Sequence, residues 1–351
     1  MAKVLCVGDA MIGPDRFVAA CRELFPDSEP IGAQWLGQDK AALQLERLKV
    51  EKGGPSAVPV PAFDFPELKD CEILLVHYCP VSSELLGLLP NLRIIGVARG
   101  GVENIDVDSA TAKGILVFRV EGRNAQAVSD FAIGLMIAEL RNIARSHQSL
   151  REGRWRKEYV NSGYSCQLER KQVGIVGLGK IGSLVAKKLS GFEVKAVGYD
   201  PFVDASLFQQ WAVTRVELPE LMSTSDVITI HARLSATTRH LIGRREIQRM
   251  KPTAILVNTA RAGLVDEDAL VEALTKRLIG GAALDVFDQE PLPPTDPYLS
   301  LDNVTVTSHL AGTAVEVLQR SPYLLCEVIQ DYLLHRRVGT LVNPDALAKT
   351  A

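Results

Sequence analysis

Paired cysteines, long apolar runs and a strong charge of either sign are all missing from this chain of 351 residues. Its six cysteines (Cys6, Cys21, Cys71, Cys79, Cys166 and Cys326) contain no Cys-x-x-Cys and no metal-like spacing to a histidine, so no metal is expected. Nothing suggests a disulfide framework either, and a reducing cytoplasm is the simplest setting. No apolar stretch reaches membrane-spanning length; residues 127–140 come nearest and are interrupted by Asp130. The N-terminus turns polar at Gly8-Asp9 and reads as a first strand instead of a signal peptide. A formal net charge of −3 and a pI of 6.1 remove the electrostatic case for nucleic acid. There is no low-complexity tract and no short repeat. What is present, 47% apolar and 23% charged residues, fits two soluble domains with full cores.

The chain alternates short β-branched runs with helical stretches. Residues 3–7, 72–77, 93–97 and 115–118 read as strands, with helices over 15–25, 83–89 and 108–113. Residues 36–62, charged and rich in Gly and Pro, read as a surface insertion. A long amphipathic stretch from 125 to about 150 leads to Gly177-Leu178-Gly179-Lys180-Ile181-Gly182. That glycine motif follows the apolar run 173–176 and opens a helical pattern, the context it needs before it carries meaning. Its glycines allow close backbone approach, so a helix N-terminus can face a pyrophosphate. The next strand, 194–199, ends in Asp200, suited to accept hydrogen bonds from an adenosine ribose. Strands follow at 226–230, 254–258, 282–286 and 304–307, with a helix at 267–276. This pattern predicts a doubly wound parallel sheet whose carboxyl ends carry Gly177, Asp200, His231, Asn258 to Arg261, Asp285 and His309.

Arg261 and His309 from that set, with Glu290 shortly after Asp285, suit hydride chemistry on a 2-oxo or 2-hydroxy acid. Arg261 can hold a carboxylate in a bidentate fork. His309 can exchange the hydroxyl proton, and Glu290 can orient the imidazole and stabilise its charged form. Dinucleotide binding and the trio together point to an NAD-dependent oxidoreductase; a nucleotide-sensing scaffold on the same fold is the competing reading.

The segments GVARGGVENID (96–106), KGILV (113–117), NTARAGLVDEDAL (258–270), GAALDVFDQEP (281–291) and Ser308–Gly312, with the glycine motif, resemble the D-isomer-specific 2-hydroxyacid dehydrogenase family. The resemblance implies an NAD-binding Rossmann domain, 125–312, inserted into a flavodoxin-like substrate domain, 1–124 with 313–351. It implies a homodimer and a cleft that interconverts a small 2-oxo acid and a D-2-hydroxy acid. By matching position, Arg261 would bind the substrate carboxylate and carbonyl, His309 would donate the proton and Glu290 would be its partner. Asp285 would meet the nicotinamide carboxamide, Asn258, Thr259 and Ala260 would line the cofactor, and Gly312 would close the cofactor site. His231 is expected on the cofactor side. The amides of Gly100 and Gly101 would hold the carboxylate, beside Arg99. Two departures stand out: Ser308 precedes the histidine where the family usually has proline, and Ala232-Arg233 follows His231 where a proline is usual. Only 39 residues follow Gly312, so no added regulatory domain is expected.

Three finer expectations follow. Asp200, flanked by Tyr199 and Pro201 with no basic neighbour, should favour NAD over NADP. Trp155, amid Arg and Lys in residues 148–165, should lie at a dimer surface. Phosphoglycerate dehydrogenases place an arginine where this chain has His77-Tyr78-Cys79-Pro80-Val81-Ser82. His77 and Tyr78 therefore predict an unphosphorylated, hydroxylated substrate such as glycerate, glycolate or a short sugar acid, with D-3-phosphoglycerate as the alternative.

Overall fold

The computed structural model describes residues 2–63 and 69–349. The chain divides into two units, Met1–Arg123 with Ala314–Ala351, and Asn124–Thr313. The first runs through β1 (Ala2–Gly8), α1 (Pro14–Leu24), β2 (Ser28–Gln34), α2 (Lys40–Gly53), β3 (Cys71–Val76), α3 (Ser83–Gly87), β4 (Ile94–Val97), α4 (Val107–Ala112) and β5 (Leu116–Arg119). The C-terminal helix Val315–His335 belongs to the same unit. Its five strands are all parallel, in the order β2-β1-β3-β4-β5. Along β1, Val4 and Cys6 pack with Phe17, Leu325 and Ile329, whereas Leu5 and Val7 pack with Trp35, Leu74 and Leu85. Both faces of the sheet are covered, which is why its strands are nearly continuous apolar runs in the sequence.

Residues 36–62 are not a plain surface insertion, because they contain α2. Asp39 caps that helix, its side chain accepting from the amides of Ala41 (2.8 Å) and Ala42 (3.2 Å). Leu43 and Val50, seven residues apart, bury the inner stripe. Charged residues fill the remaining positions and hide the helical period. β2 is obscured differently: Pro30 and Gly32 interrupt its pattern, and an edge position tolerates both.

The second unit runs through α5 (Ala125–Leu140), α6 (Ile143–Arg151), β6 (Gln172–Val176), α7 (Lys180–Leu189), β7 (Lys195–Tyr199), α8 (Ala205–Gln210), β8 (Thr214–Arg215), α9 (Leu218–Thr224), β9 (Val227–Ile230), α10 (Arg244–Ile247), β10 (Ile255–Asn258), α11 (Glu267–Thr275), β11 (Gly281–Leu284) and β12 (Val304–Val306). Its seven parallel strands lie in the order β12-β11-β10-β9-β6-β7-β8, so the winding reverses between β6 and β9. The expected single stretch over 125–150 is two helices. Asn142 breaks it in the left-handed region (φ 58°), a conformation asparagine tolerates better than most residues. Its side chain donates to Asn161 Oδ1 (2.5 Å) and accepts from Arg145 (3.0 Å).

Strand register sets up the site. Val176 pairs with both Tyr199 and Ile230, Ile230 is level with Asn258, Asn258 with Leu284, and Leu284 with Val306. Six strands therefore end together, and Gly177, Asp200, His231, Thr259, Asp285 and Thr307 are the next residues on each.

Candidate active site

β6 runs directly into Gly177, whose φ of 91° disfavours any side chain. A Cβ there would stand 2.6 Å from the Ala232 nitrogen. Gly182 is tighter: its Cβ would fall 2.0 Å from the Gly177 carbonyl oxygen. Gly179 begins α7 without a side-chain cap, and a Cβ on it would meet nothing within 4 Å. α7 therefore opens without a side-chain cap at Gly179, and its N-terminus is the positive end of the helix dipole. Asp200 braces this turn, its Oδ2 accepting from the Leu178 amide (2.8 Å) and its Oδ1 from the Phe202 amide (2.9 Å). Each oxygen retains a second lone pair for a ribose hydroxyl.

Two polar atoms near the glycine turn are buried without partners among the described residues: His231 Nδ1 after β9 and Thr259 Oγ1 after β10. His231 Nε2 pairs with Thr229 Oγ1 (2.9 Å), and burial pushes its pKa down to about 3, so the ring is neutral at physiological pH. Orphaned buried polar atoms call for an explanation, and a polar ligand over these strand ends supplies one. The residues present fit a dinucleotide.

The loop after β10 is closed by a side chain. Asn258 Oδ1 accepts from the Ala260 amide and its Nδ2 donates to the Arg261 carbonyl, both at 3.0 Å. Both polar atoms of Asn258 therefore shape the turn that presents Arg261. The Arg261 side chain donates to the Ala260 carbonyl (2.7 Å), is exposed, and has no carboxylate partner among the described residues.

Glu290 and His309 meet. Glu290 Oε1 accepts from the Phe287 amide (3.0 Å), and its Oε2 lies 2.7 Å from His309 Nδ1. With Nδ1 engaged, Nε2 is the nitrogen left to exchange a proton. His309 sits in the left-handed region (φ 55°), a conformation in which histidine is several-fold enriched over most residues. Asp285, fully buried, holds that turn: Oδ1 accepts from the Thr307 hydroxyl (2.6 Å) and the Leu310 amide (2.9 Å), Oδ2 from the Ala311 amide (2.8 Å). One acceptor position remains on Oδ2 for a further donor. A Cβ on Gly312, at the loop's end, would be 2.6 Å from Asn124 Nδ2.

In the first unit, the expected roles of His77 and Tyr78 need correction. His77 has no exposed surface. Its Nδ1 lies 3.0 Å from Asp9 Oδ2 and its Nε2 3.2 Å from Arg123 Nη2. A guanidinium only donates, so Nε2 is the acceptor and Nδ1 carries the proton toward Asp9. Both ring nitrogens are engaged within the protein, one with Asp9 and one with Arg123. Tyr78 is 7% exposed, with the guanidinium carbons of Arg47 and Arg99 4.9 and 4.7 Å from its ring centroid. It is a stacking platform for cations more than the neutral pocket wall expected. Gly100 and Gly101 follow Arg99, and among the described residues neither amide donates a hydrogen bond.

Burial lowers the His77 pKa to about 4, outweighing the pull of Asp9, with Arg123 and Arg99 acting in the same direction as burial. Below about 6.5 the unfolded chain takes up a proton that the folded chain refuses. Stability is therefore lost as pH falls from about 6.5 towards 4, by up to ~3 kcal/mol. Urea unfolding at stepped pH should show that loss in the wild type and a smaller one in His77→Gln. Identical profiles would remove His77 from the account.

The family description "D-isomer specific 2-hydroxyacid dehydrogenase, NAD binding domain" matches residues 133–311, more than half of the chain. The chain belongs to this family. It is similar to a glyoxylate reductase of Thermofilum pendens, 38% identical over 277 residues, or 76% of this chain and 79% of the relative. It is also 38% identical to a D-3-phosphoglycerate dehydrogenase of Methanocaldococcus jannaschii, covering 79% of this chain and 52% of that one. This chain thus spans about half the length of such phosphoglycerate dehydrogenases. Among solved structures, an NADPH-dependent glyoxylate/hydroxypyruvate reductase of Sinorhizobium meliloti in complex with citrate superposes with a TM-score of 0.72 at 25% identity, covering 99% of both chains.

The structure also brings together groups that the sequence did not place in one site. Asp9, Arg47 and Arg123 come from three distant segments and meet only through the sheet order. A polar residue just past a strand end, as Asp9 is past β1, was the one available signal. Ser308 leaves the His309–Glu290 pair formed, because Asp285 fixes the turn.

Proposed function

We propose that this chain is an NAD-dependent dehydrogenase that interconverts a small 2-oxo acid and a D-2-hydroxy acid. The observation that carries the reading is the 2.7 Å pair between His309 Nδ1 and Glu290 Oε2, on the same row of strand ends as the glycine turn and Arg261. Bound nicotinamide supplies or accepts the hydride. Arg261 binds the substrate carboxylate and carbonyl, and the lack of a competing carboxylate among the described residues leaves its fork available. His309 holds a proton on Nε2 and gives it to the 2-oxygen during reduction, while Glu290, fixed by the Phe287 amide, offsets the imidazolium charge. The remaining acceptor position of Asp285 is available to the nicotinamide carboxamide. In the first unit, read as the substrate domain, the unengaged amides of Gly100 and Gly101 are donors for a carboxylate. Arg47 and Arg99, which stack on Tyr78, bring guanidinium groups to residues 77–82 that the segment itself lacks, so phosphorylated and unphosphorylated acids are both candidates. The test is loss of NADH absorbance with a panel of 2-oxo acids; no reduction of any of them would refute the reading.

Asp200 favours NAD. A 2′-phosphate would face its carboxylate with no adjacent cation, so kcat/KM with NADH should exceed that with NADPH by about tenfold or more. Parity would show that Asp200 serves only to brace the Leu178 turn.

We also infer a homodimer, in a cytoplasmic setting consistent with six free cysteines. Trp155 is 79% exposed, and the nearby helix α6 leaves Ile143 and Leu150 more than half exposed. Exposed apolar groups of this kind mark interaction surfaces. Light scattering at micromolar concentration should give a dimer mass, and Trp155→Glu should shift it towards the monomer. A monomeric wild type would contradict the inference. Among the described residues, no helix is long and apolar enough to cross a membrane.

A further inference from the structure

Arg233 stands where the family usually has a proline, and its side chain takes no part in the fold. It is exposed and makes no ion pair or hydrogen bond among the described residues. The backbone that carries it is fixed. A Cβ on Gly177 would stand 2.6 Å from the Ala232 nitrogen and 2.8 Å from its Cα, so the chain just past β9 lies against the glycine turn. Ala232 and Leu234, on either side of Arg233, pack on the apolar core of their unit. The Arg233 carbonyl accepts from the Thr238 hydroxyl (2.6 Å), whose oxygen accepts in turn from the Ser235 amide (2.8 Å).

An exposed arginine on a fixed loop is ordinarily a solvated surface charge. Two features of this position argue for more. His231 Nδ1, two residues before it, is buried without a partner among the described residues, so the end of β9 is built to meet a polar group. The strand order then says which one. β9 and β6 are neighbours at the reversal of the winding, where a crevice opens beyond the strand ends. α7 leaves β6 with its uncapped positive end, and Arg233 leaves β9 with a full positive charge. Asp200 follows β7, on the far side of β6. With strands about 4.8 Å apart, β9 and β7 are separated by about twice that. Arg233 therefore belongs to the side of the crevice away from the ribose acceptor.

We propose that Arg233 is a further cofactor-binding residue, its guanidinium pairing with the diphosphate of the dinucleotide that the α7 N-terminus faces. The inference rests on the dinucleotide reading of this site and adds a contact that a proline at 233 could not make, having neither charge nor donor. The helix end supplies only a partial charge, roughly half of an elementary charge. A guanidinium adds a permanent one, with five donors in a fork that matches two phosphate oxygens. Cofactor choice stays with Asp200, because the diphosphate is common to NAD and NADP.

The test is binding, independent of turnover. NADH affinity is measured by fluorescence titration, and ADP and NADPH affinities by calorimetry, for the wild type, Arg233→Gln and Arg249→Gln. Arg249 is exposed in the connection that enters β10, so its loss removes an equal charge near the amino ends of the strands. Arg233→Gln should weaken all three ligands by one common factor, about 5- to 20-fold, as expected for one charge-assisted contact. That factor should shrink in about 1 M salt, where the screening length falls to about 3 Å. Arg249→Gln should bind like the wild type. The inference is overturned if Arg233→Gln binds NADH and ADP normally, or if Arg249→Gln loses as much. A loss confined to NADPH would place the guanidinium on the 2′-phosphate and overturn it, and so would a loss indifferent to salt. A wild type that binds none of the three would instead overturn the dinucleotide reading itself.

Discussion

His309→Ala lowers turnover by a factor of about 100 or more and leaves NADH affinity nearly unchanged, if the imidazole is the proton donor. The expectation is specific because the loop does not depend on that side chain. Asp285 grips Thr307 and the backbone amides of Leu310 and Ala311, none of which the substitution removes. Alanine is less content than histidine at φ 55°, so His309→Asn provides a control that suits the left-handed backbone and lacks the titrating ring. Both variants should lose turnover together. Glu290→Gln should cost less, because it keeps an acceptor for Nδ1 while removing the charge that offsets the imidazolium. Wild-type rates in the two His309 variants would end the assignment.

A larger loss of binding is expected from a single methyl group. Gly182→Ala would put a carbon 2.0 Å from the Gly177 carbonyl oxygen, a backbone atom that cannot rotate away. Relief requires α7 to move off β6 or the turn at Gly177 to open, and either change displaces the amides proposed to face the pyrophosphate. NADH affinity should fall by about 100-fold or more, with a loss of stability of ~1–3 kcal/mol for the forced backbone shift. Fluorescence titration with NADH and thermal unfolding of the same samples separate the two effects. An alanine variant that binds NADH like the wild type would show that the close Gly177–Gly182 approach is not what seats the cofactor.

The two sites were legible to different degrees, for a physical reason. Gly177, Asp200, Arg261 and His309 all lie within a few residues after strands of the parallel sheet, so short apolar runs in the sequence announce where each residue emerges. The hydrogen bond from His309 to Glu290 could be anticipated because one carboxylate and one imidazole occur past the ends of two neighbouring strands. The arginines around Tyr78 and His77 could not. Arg47 lies on a helix whose charged face conceals its period, and Arg123 is in the segment joining the two units. His77 was read as a polar contact because sequence gives no sign that Asp9 and Arg123 occupy both of its nitrogens. The β2 strand and the break at Asn142 were missed for a related reason: edge exposure and a single left-handed residue override pattern without leaving one of their own.

Asp285 gives the loop a property that a proline at position 308 would not. A proline stiffens a turn whether or not anything is bound, largely by limiting what the unfolded chain can do. Hydrogen bonds to a carboxylate exist only while the turn is closed, and they draw on the same oxygens that a nicotinamide carboxamide would approach. The His309 turn and the proposed carboxamide contact thus hang on one carboxylate, so a change at Asp285 would reach both at once.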